Sequence, residues 1–208
     1  MKTSLEPWGA RVPDRNHADG ATDAGAASAN SQAMMGSLAQ IYDAYFAFVW
    51  RNARRLGVSE TNADDVVQDV FVIVHRRIQD FDGRRHLRAW LFGILVRVVS
   101  DHRRSYRRKG ARCVSLEHEA SHLVEPQATP SEHAERAQRV QLLEQLLCQL
   151  DEGKRSLLIL SELEEWTLRE IAEFSGSNVN TVHSRLRVAK RDFEKVYARW
   201  LADKGETP

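Results

Sequence analysis

Cysteine is scarce in this sequence. The two present, Cys113 and Cys148, lie far apart and outside any CxxC or Cys/His spacing, so neither a disulfide scaffold nor a zinc site is supported. A reducing, cytoplasmic setting fits that usage. Long apolar runs are missing as well. The N-terminus has no uninterrupted apolar core of the signal-peptide type, and no stretch approaches the roughly 20 apolar residues that span a bilayer, so membrane insertion is not expected. Net charge is also small: 30 Lys and Arg against 29 Asp and Glu give a formal +1 over 208 residues. Any argument for a nucleic-acid partner must therefore rest on where the charges lie. Catalytic signals are absent, because the histidines form no pair at metal-ligand spacing and no nucleophile has an evident base. No enzyme activity, metal or cofactor is expected.

What is present is helical periodicity, interrupted at a few places. No strand-like alternation of useful length and no internal repeat occurs. Residues 1–36 are rich in Ala, Asp, Asn, Ser and Gly with almost no large aliphatics, and read as a disordered extension. A first domain spans 37–109. Ile41, Tyr45, Phe48, Val49 and Ala53 give one helix, ending near Gly57 as a C′ glycine. A second helix runs from Ala63 to about Gln79, capped by Ser59 or Thr61, with Asp64 and Asp65 in its first turn. Phe81-Asp82-Gly83 breaks it, and a third helix follows from about His86 to Arg108 with Trp90, Leu91, Leu95, Val98 and Val99 inward. Residues 110–133 read as a flexible linker. Helical periodicity resumes over 134–202, and 203–208 form a tail. The fold class is all-α, two small helical domains joined by that linker.

The sharpest local signal lies between Trp166 and Lys190. Leu168, Ile171 and Ala172 form the apolar side of a short helix, Gly176 permits a turn, and Val179, Val182 and Leu186 form the inner side of a second helix. That spacing is a helix-turn-helix, and the small Ala172 lets the two helices approach. The second helix presents Asn180, Thr181, His183, Ser184, Arg185, Arg187 and Lys190, with no acid between Asn178 and Arg191. Short polar groups and arginines at a helix N-terminus suit a major groove. A solvated basic helix would carry the same charges, but the turn, the small residue and the charge bias coincide here.

Charge is segregated in the first domain too. From Arg76 to Lys109 basic residues greatly outnumber acids, which serves phosphate neutralisation. Trp90, Arg97, Asp101, Arg104 and Arg108 fall on one face of the third helix, with Arg84 and Arg85 just before it. An aromatic among cations suits single-stranded DNA; a Trp90 that is simply core is the other reading. The second helix differs. Asp64, Asp65, Gln68, Asp69 and Val72 make an acidic, partly apolar strip that attracts a basic protein partner rather than DNA.

In this order the segments resemble the extracytoplasmic-function group of sigma-70 family RNA polymerase sigma factors. DDVVQDVF from Asp64 to Phe71 is similar to that family's core-polymerase-binding helix. Phe81-Asp82-Gly83 with LRAWL from Leu87 to Leu91 is similar to its promoter-melting segment. Glu170, Ile171 and Ala172, followed by Thr181 to Leu186, complete the match, which covers about 38–200. The resemblance implies that Asp65, Gln68, Asp69 and Val72 dock on the β′ clamp helices of core RNA polymerase. It implies that Arg84, Arg85, Trp90, Arg97, Asp101, Arg104 and Arg108 hold the −10 element of promoter DNA. The C-terminal helix would read the −35 element and its domain would touch the β flap, and an anti-sigma factor is an expected partner. Two positions depart from the family pattern: Arg97 stands where Asn is usual, and Val188 where a basic residue is common. The rival reading is a helix-turn-helix regulator that acts on duplex DNA alone. Its sensor domains contain strands, whereas the first block here reads as wholly helical.

Overall fold

The computed structural model describes residues 24–81, 87–108 and 130–205, and among them there is no strand. Helices α1 (Ala24–Arg55), α2 (Glu60–Arg77) and α3 (Leu87–Arg108) form the first region. The second contains α4 (Pro130–Cys148), α5 (Glu152–Leu158), α6 (Leu168–Ser175) and α7 (Val179–Lys204). A 3-10 turn, Ile78–Asp80, extends α2, and a π-helical turn, Ile159–Leu163, extends α5.

Periodicity makes the core. On α2, Ala63, Val66, Val67, Val70, Phe71 and Val74 are buried at the 3, 4, 7 and 8 spacing of one helix face. They meet Phe48, Val49 and Ala53 of α1 and Leu91, Phe92 and Leu95 of α3 in one apolar cluster. That cluster continues into the second region through Leu146, Leu147, Leu157, Ile159, Ile171, Val182, Leu186 and Ala189. Helix α4 packs on both α1 and α7, so the two regions are in direct contact.

Three boundaries differ from the sequence reading. Residues 24–36 are helical, not unstructured. The stretch is alanine-rich and extends a helix already nucleated by its buried C-terminal half, so each added residue gains a bond without a new nucleus. Helix α4 begins at Pro130, inside the expected linker; a first-turn proline has no N–H to leave orphaned. Helix α7 runs to Lys204, into the expected tail. Residues 1–23, 206–208 and the remainder of the linker lie outside the described residues.

Gly57 and Gly176 both adopt left-handed backbone, φ +95° and +61°. They end α1 and α6 as the sequence reading expects of glycine.

Candidate functional site

The helix-turn-helix is built by strong local signals. Thr167 caps α6 by accepting from the Glu170 N–H, and Glu170 accepts in return from the Thr167 N–H at 2.7 Å, a reciprocal capping box. After Gly176, Asn178 caps α7 by accepting from Asn180 N at 2.8 Å. Val182, Leu186 and Ala189 hold α7 in the core beside Ile171 and Ala172 of α6. Val179, expected inward, is instead 38% exposed at the first position of α7. Lys154 bridges Asp151, the cap of α5, and Asp192 of α7 at 2.8 and 2.9 Å, fixing the two helices relative to each other. The hydrogen bonds that the Lys154 ammonium donates to the carboxylates of Asp151 and Asp192 raise its pKa.

With the inner face of α7 so fixed, Asn180, Thr181, His183, Ser184, Arg185, Arg187 and Lys190 are all exposed. Ser184 Oγ donates to the Asn180 carbonyl at 2.9 Å. Lys190 pairs with Glu162 of the π-helical turn at 2.9 Å, and the Ser161 hydroxyl together with Lys190 holds the Glu162 carboxyl below its usual range. Lys190 is thus the member of this set held by a carboxylate. The sequence reading missed this contact, because Glu162 is 28 positions away.

On α3, Arg97, Asp101 and Arg104 are exposed, and Asp101 lies 3.9 Å from Arg104. Trp90 is half-buried, its ring 5.4 Å from that of Phe81 at 45°. Trp90 packs in part against the apolar core and is otherwise left to solvent. Arg108 closes α3. Arg84 and Arg85 lie outside the described residues.

Asp65, Gln68, Asp69 and Val72 are all exposed on α2, Val72 at 41%. Gln68 and Val72 border an open groove of about 730 Å³ between α1 and α2. Its opposite wall is Leu38, Tyr42 and Phe46 of α1, and Phe71 forms part of its lining. Tyr42 stacks obliquely on Phe71 at 4.7 Å. The indole N–H of Trp50 donates to Asp64 at 3.2 Å, tying the acidic first turn of α2 to α1. The aromatic wall escaped the sequence reading, although Leu38, Tyr42 and Phe46 recur at four-residue spacing and mark a second apolar face on α1.

Among the described residues no group of His, Cys, Asp and Glu could hold a metal ion. No helix among them is long and apolar enough to cross a membrane.

Comparison with known proteins shows what the chain is similar to. Residues 41–109 match the family described as Sigma-70 region 2, and residues 140–193 that described as Sigma-70, region 4. The chain is 33% identical over 168 residues to the ECF RNA polymerase sigma factor SigL of Mycobacterium tuberculosis, covering 80% of this chain and 90% of SigL. It is 30% identical over 142 residues to the RNA polymerase sigma factor CnrH of Cupriavidus metallidurans, covering 66% of this chain and 74% of CnrH. The structure of CnrH in complex with the cytosolic domain of CnrY superposes with a TM-score of 0.58 at 25% identity, over 81% of this chain and 94% of that one. The sigma factor RpoE of Bartonella quintana, solved with the anti-sigma factor NepR, shares the fold at 21% identity and a TM-score of 0.58, over 77% and 96% of the two chains.

Proposed function

Since the chain belongs to the extracytoplasmic-function group of sigma-70 family sigma factors, we propose that it binds core RNA polymerase through α2, melts and holds the −10 element with α3, and reads the −35 element with α7. The observation that carries this reading is the separation of three exposed surfaces of different chemistry on one helical body. An acidic strip beside an aromatic groove suits the basic, partly apolar face of a protein partner. A basic helix with a half-exposed indole suits phosphates and an unstacked base. Short polar and basic residues at the start of a capped helix suit base edges and phosphates of duplex DNA.

In this division Asp65, Gln68, Asp69 and Val72 meet the β′ clamp helices, while Trp90, Arg97, Asp101 and Arg104, with Arg84, Arg85 and Arg108, follow the opened strand. Asn180, Thr181, His183, Ser184, Arg185, Arg187 and Lys190 enter the −35 groove, and the C-terminal domain touches the β flap. Bond making belongs to the polymerase, so the chain needs no catalytic residue. CnrH is solved with the cytosolic domain of CnrY and RpoE with the anti-sigma factor NepR, and from the latter likeness an anti-sigma factor is proposed for this chain.

The test is a pull-down of core polymerase. Asp69 is exposed and makes no core contact, so Asp69→Arg reverses a charge without disturbing the fold. We expect it to weaken binding about tenfold or more, with unchanged far-UV circular dichroism. Equal retention of polymerase by wild type and variant would refute the assignment of α2.

A further inference from the structure

Among the exposed cations of α7, Lys190 is set apart by its surroundings. Its ammonium lies 2.9 Å from Glu162 Oε1, whereas no carboxylate pairs with Arg185 or Arg187 among the described residues. The carboxylate is fixed by the fold. Glu162 sits in the π-helical turn Ile159–Leu163, anchored by the fully buried Ile159 and Leu160. The Glu164 N–H donates to the Ile159 carbonyl and the Trp166 N–H to the Leu160 carbonyl, each at 2.9 Å. The Ser161 hydroxyl donates to the same Glu162 oxygen that Lys190 meets, at 2.7 Å. An oriented anion thus stands at the tip of one cation of the helix. Both side chains are nevertheless about half exposed, 48% and 43%, so water can solvate each on parting.

Lys190 follows Val179, the first residue of α7, by 11 positions, which is about 16 Å along the axis. A helix of this kind reads base edges from its first turns, so a cation that far along meets the phosphate backbone. Phosphate contacts carry no sequence information and strengthen binding to any duplex. A carboxylate and a phosphate drawn to one ammonium repel each other, so gaining the phosphate releases Glu162.

We propose that Glu162 is a positioning residue for DNA binding: it holds Lys190 in the free chain and yields it to a phosphate when α7 seats on duplex. The pair lowers the affinity of α7 for every duplex by its own strength, about 1.4- to 5-fold for an exposed pair. The inference rests on the duplex-reading role of α7 proposed above.

Because the contact is blind to sequence, the probe is a labelled duplex of mixed sequence. The full chain is titrated onto it by fluorescence anisotropy from about 50 to 200 mM salt. Glu162→Gln keeps the side chain's shape and should tighten binding about threefold, with an unchanged slope of log affinity against log salt. Lys190→Ala should weaken binding and make that slope shallower by about 0.9. Glu162→Gln added to Lys190→Ala should gain less than about 1.5-fold, since the carboxylate then acts only through its screened charge. No gain in Glu162→Gln, or an equal gain with and without Lys190, overturns the proposal. A slope steeper by about 0.9 in Glu162→Gln also overturns it, because Lys190 would then stay on Glu162 in the wild-type complex. Binding without this coupling leaves the duplex-reading role of α7 standing. Failure of all four chains to bind at the lowest salt refutes that role, and the proposal with it.

Discussion

Arg155 is fully buried on α5, and its guanidinium reaches two helix ends at once. It donates to the carbonyls of Leu147 and Cys148 at 2.8 Å each, of Leu150 at 3.0 Å, and of Leu56 at the end of α1. Those carbonyls close α4 and α1, where the helical ladder leaves acceptors without intrahelical donors. Arg155→Ala strips four of them of a cationic donor and opens a cavity in their midst. A hydrogen bond to a charged group contributes about 1.5–3 kcal/mol, but the four are not additive, and removing the guanidinium also removes its desolvation cost. The expected net loss is about 3–5 kcal/mol, the range seen when one partner of a buried charged network is deleted. For a chain of this size that lowers the midpoint of thermal unfolding by about 10 °C. Urea and thermal denaturation followed by circular dichroism measure it directly. Arg155→Met, which keeps apolar volume but no donor, should recover only the cavity part. A loss below about 1 kcal/mol for the alanine variant, or full recovery by methionine, would refute the reasoning, which assigns the stabilisation to the donors.

Gly57 tests the same region from the other side: a Cβ there would stand 2.6 Å from Arg155 Nη1 and 3.0 Å from Cys148 Sγ, at φ +95°. Gly57→Ala should therefore cost about 2 kcal/mol or more in urea denaturation, and a neutral effect would contradict the geometry. Arg187→Ala removes an exposed cation from α7 and should weaken footprint protection of the −35 region about tenfold while polymerase retention stays constant; undiminished protection would remove Arg187 from the readout. Burial pushes the Glu144 carboxyl above its ordinary value, against the pull of Arg54 and Arg55. The folded chain thus takes up this proton before the unfolded chain does, and the group's contribution to stability increases as pH falls through the raised value toward the ordinary one. Urea midpoints measured across that acid range should lose this component in Glu144→Gln, and parallel pH profiles for the two chains would count against it.

The elements that could be read from sequence are those whose signal is local. The face of α2 from Ala63 to Val74 repeats at helical spacing, and the helix-turn-helix announces itself through Ile171, Ala172, Gly176, Val182 and Leu186. The exposed strips on α2, α3 and α7 followed, because the residues left off a buried face must point outward. What joins the two regions was not legible. Arg155, Glu144 and Asn52 are residue types that ordinarily lie at the surface. Glu144 and Asn52 meet side chains 90 and 112 positions away, and Arg155 reaches one carbonyl 99 positions away besides three nearby ones, backbone partners that no residue pattern encodes. The π-helical turn at Ile159–Leu163 sits within an apolar run that reads equally well as continuous α-helix. The early start of α1 was hidden for the opposite reason. Its stretch is alanine-rich with few large aliphatics, and helix is continued there by propensity and by the buried half that follows.

Run-off transcription with purified core polymerase and genomic promoter fragments, with and without this chain, tests the central claim most directly. A sigma factor predicts defined transcripts that appear only when the chain is added, start downstream of the protected −10 and −35 sequences, and decline with Asp69→Arg and Arg187→Ala. Duplex binding by the free chain, with no polymerase retained and no chain-dependent transcript from any fragment, would contradict it.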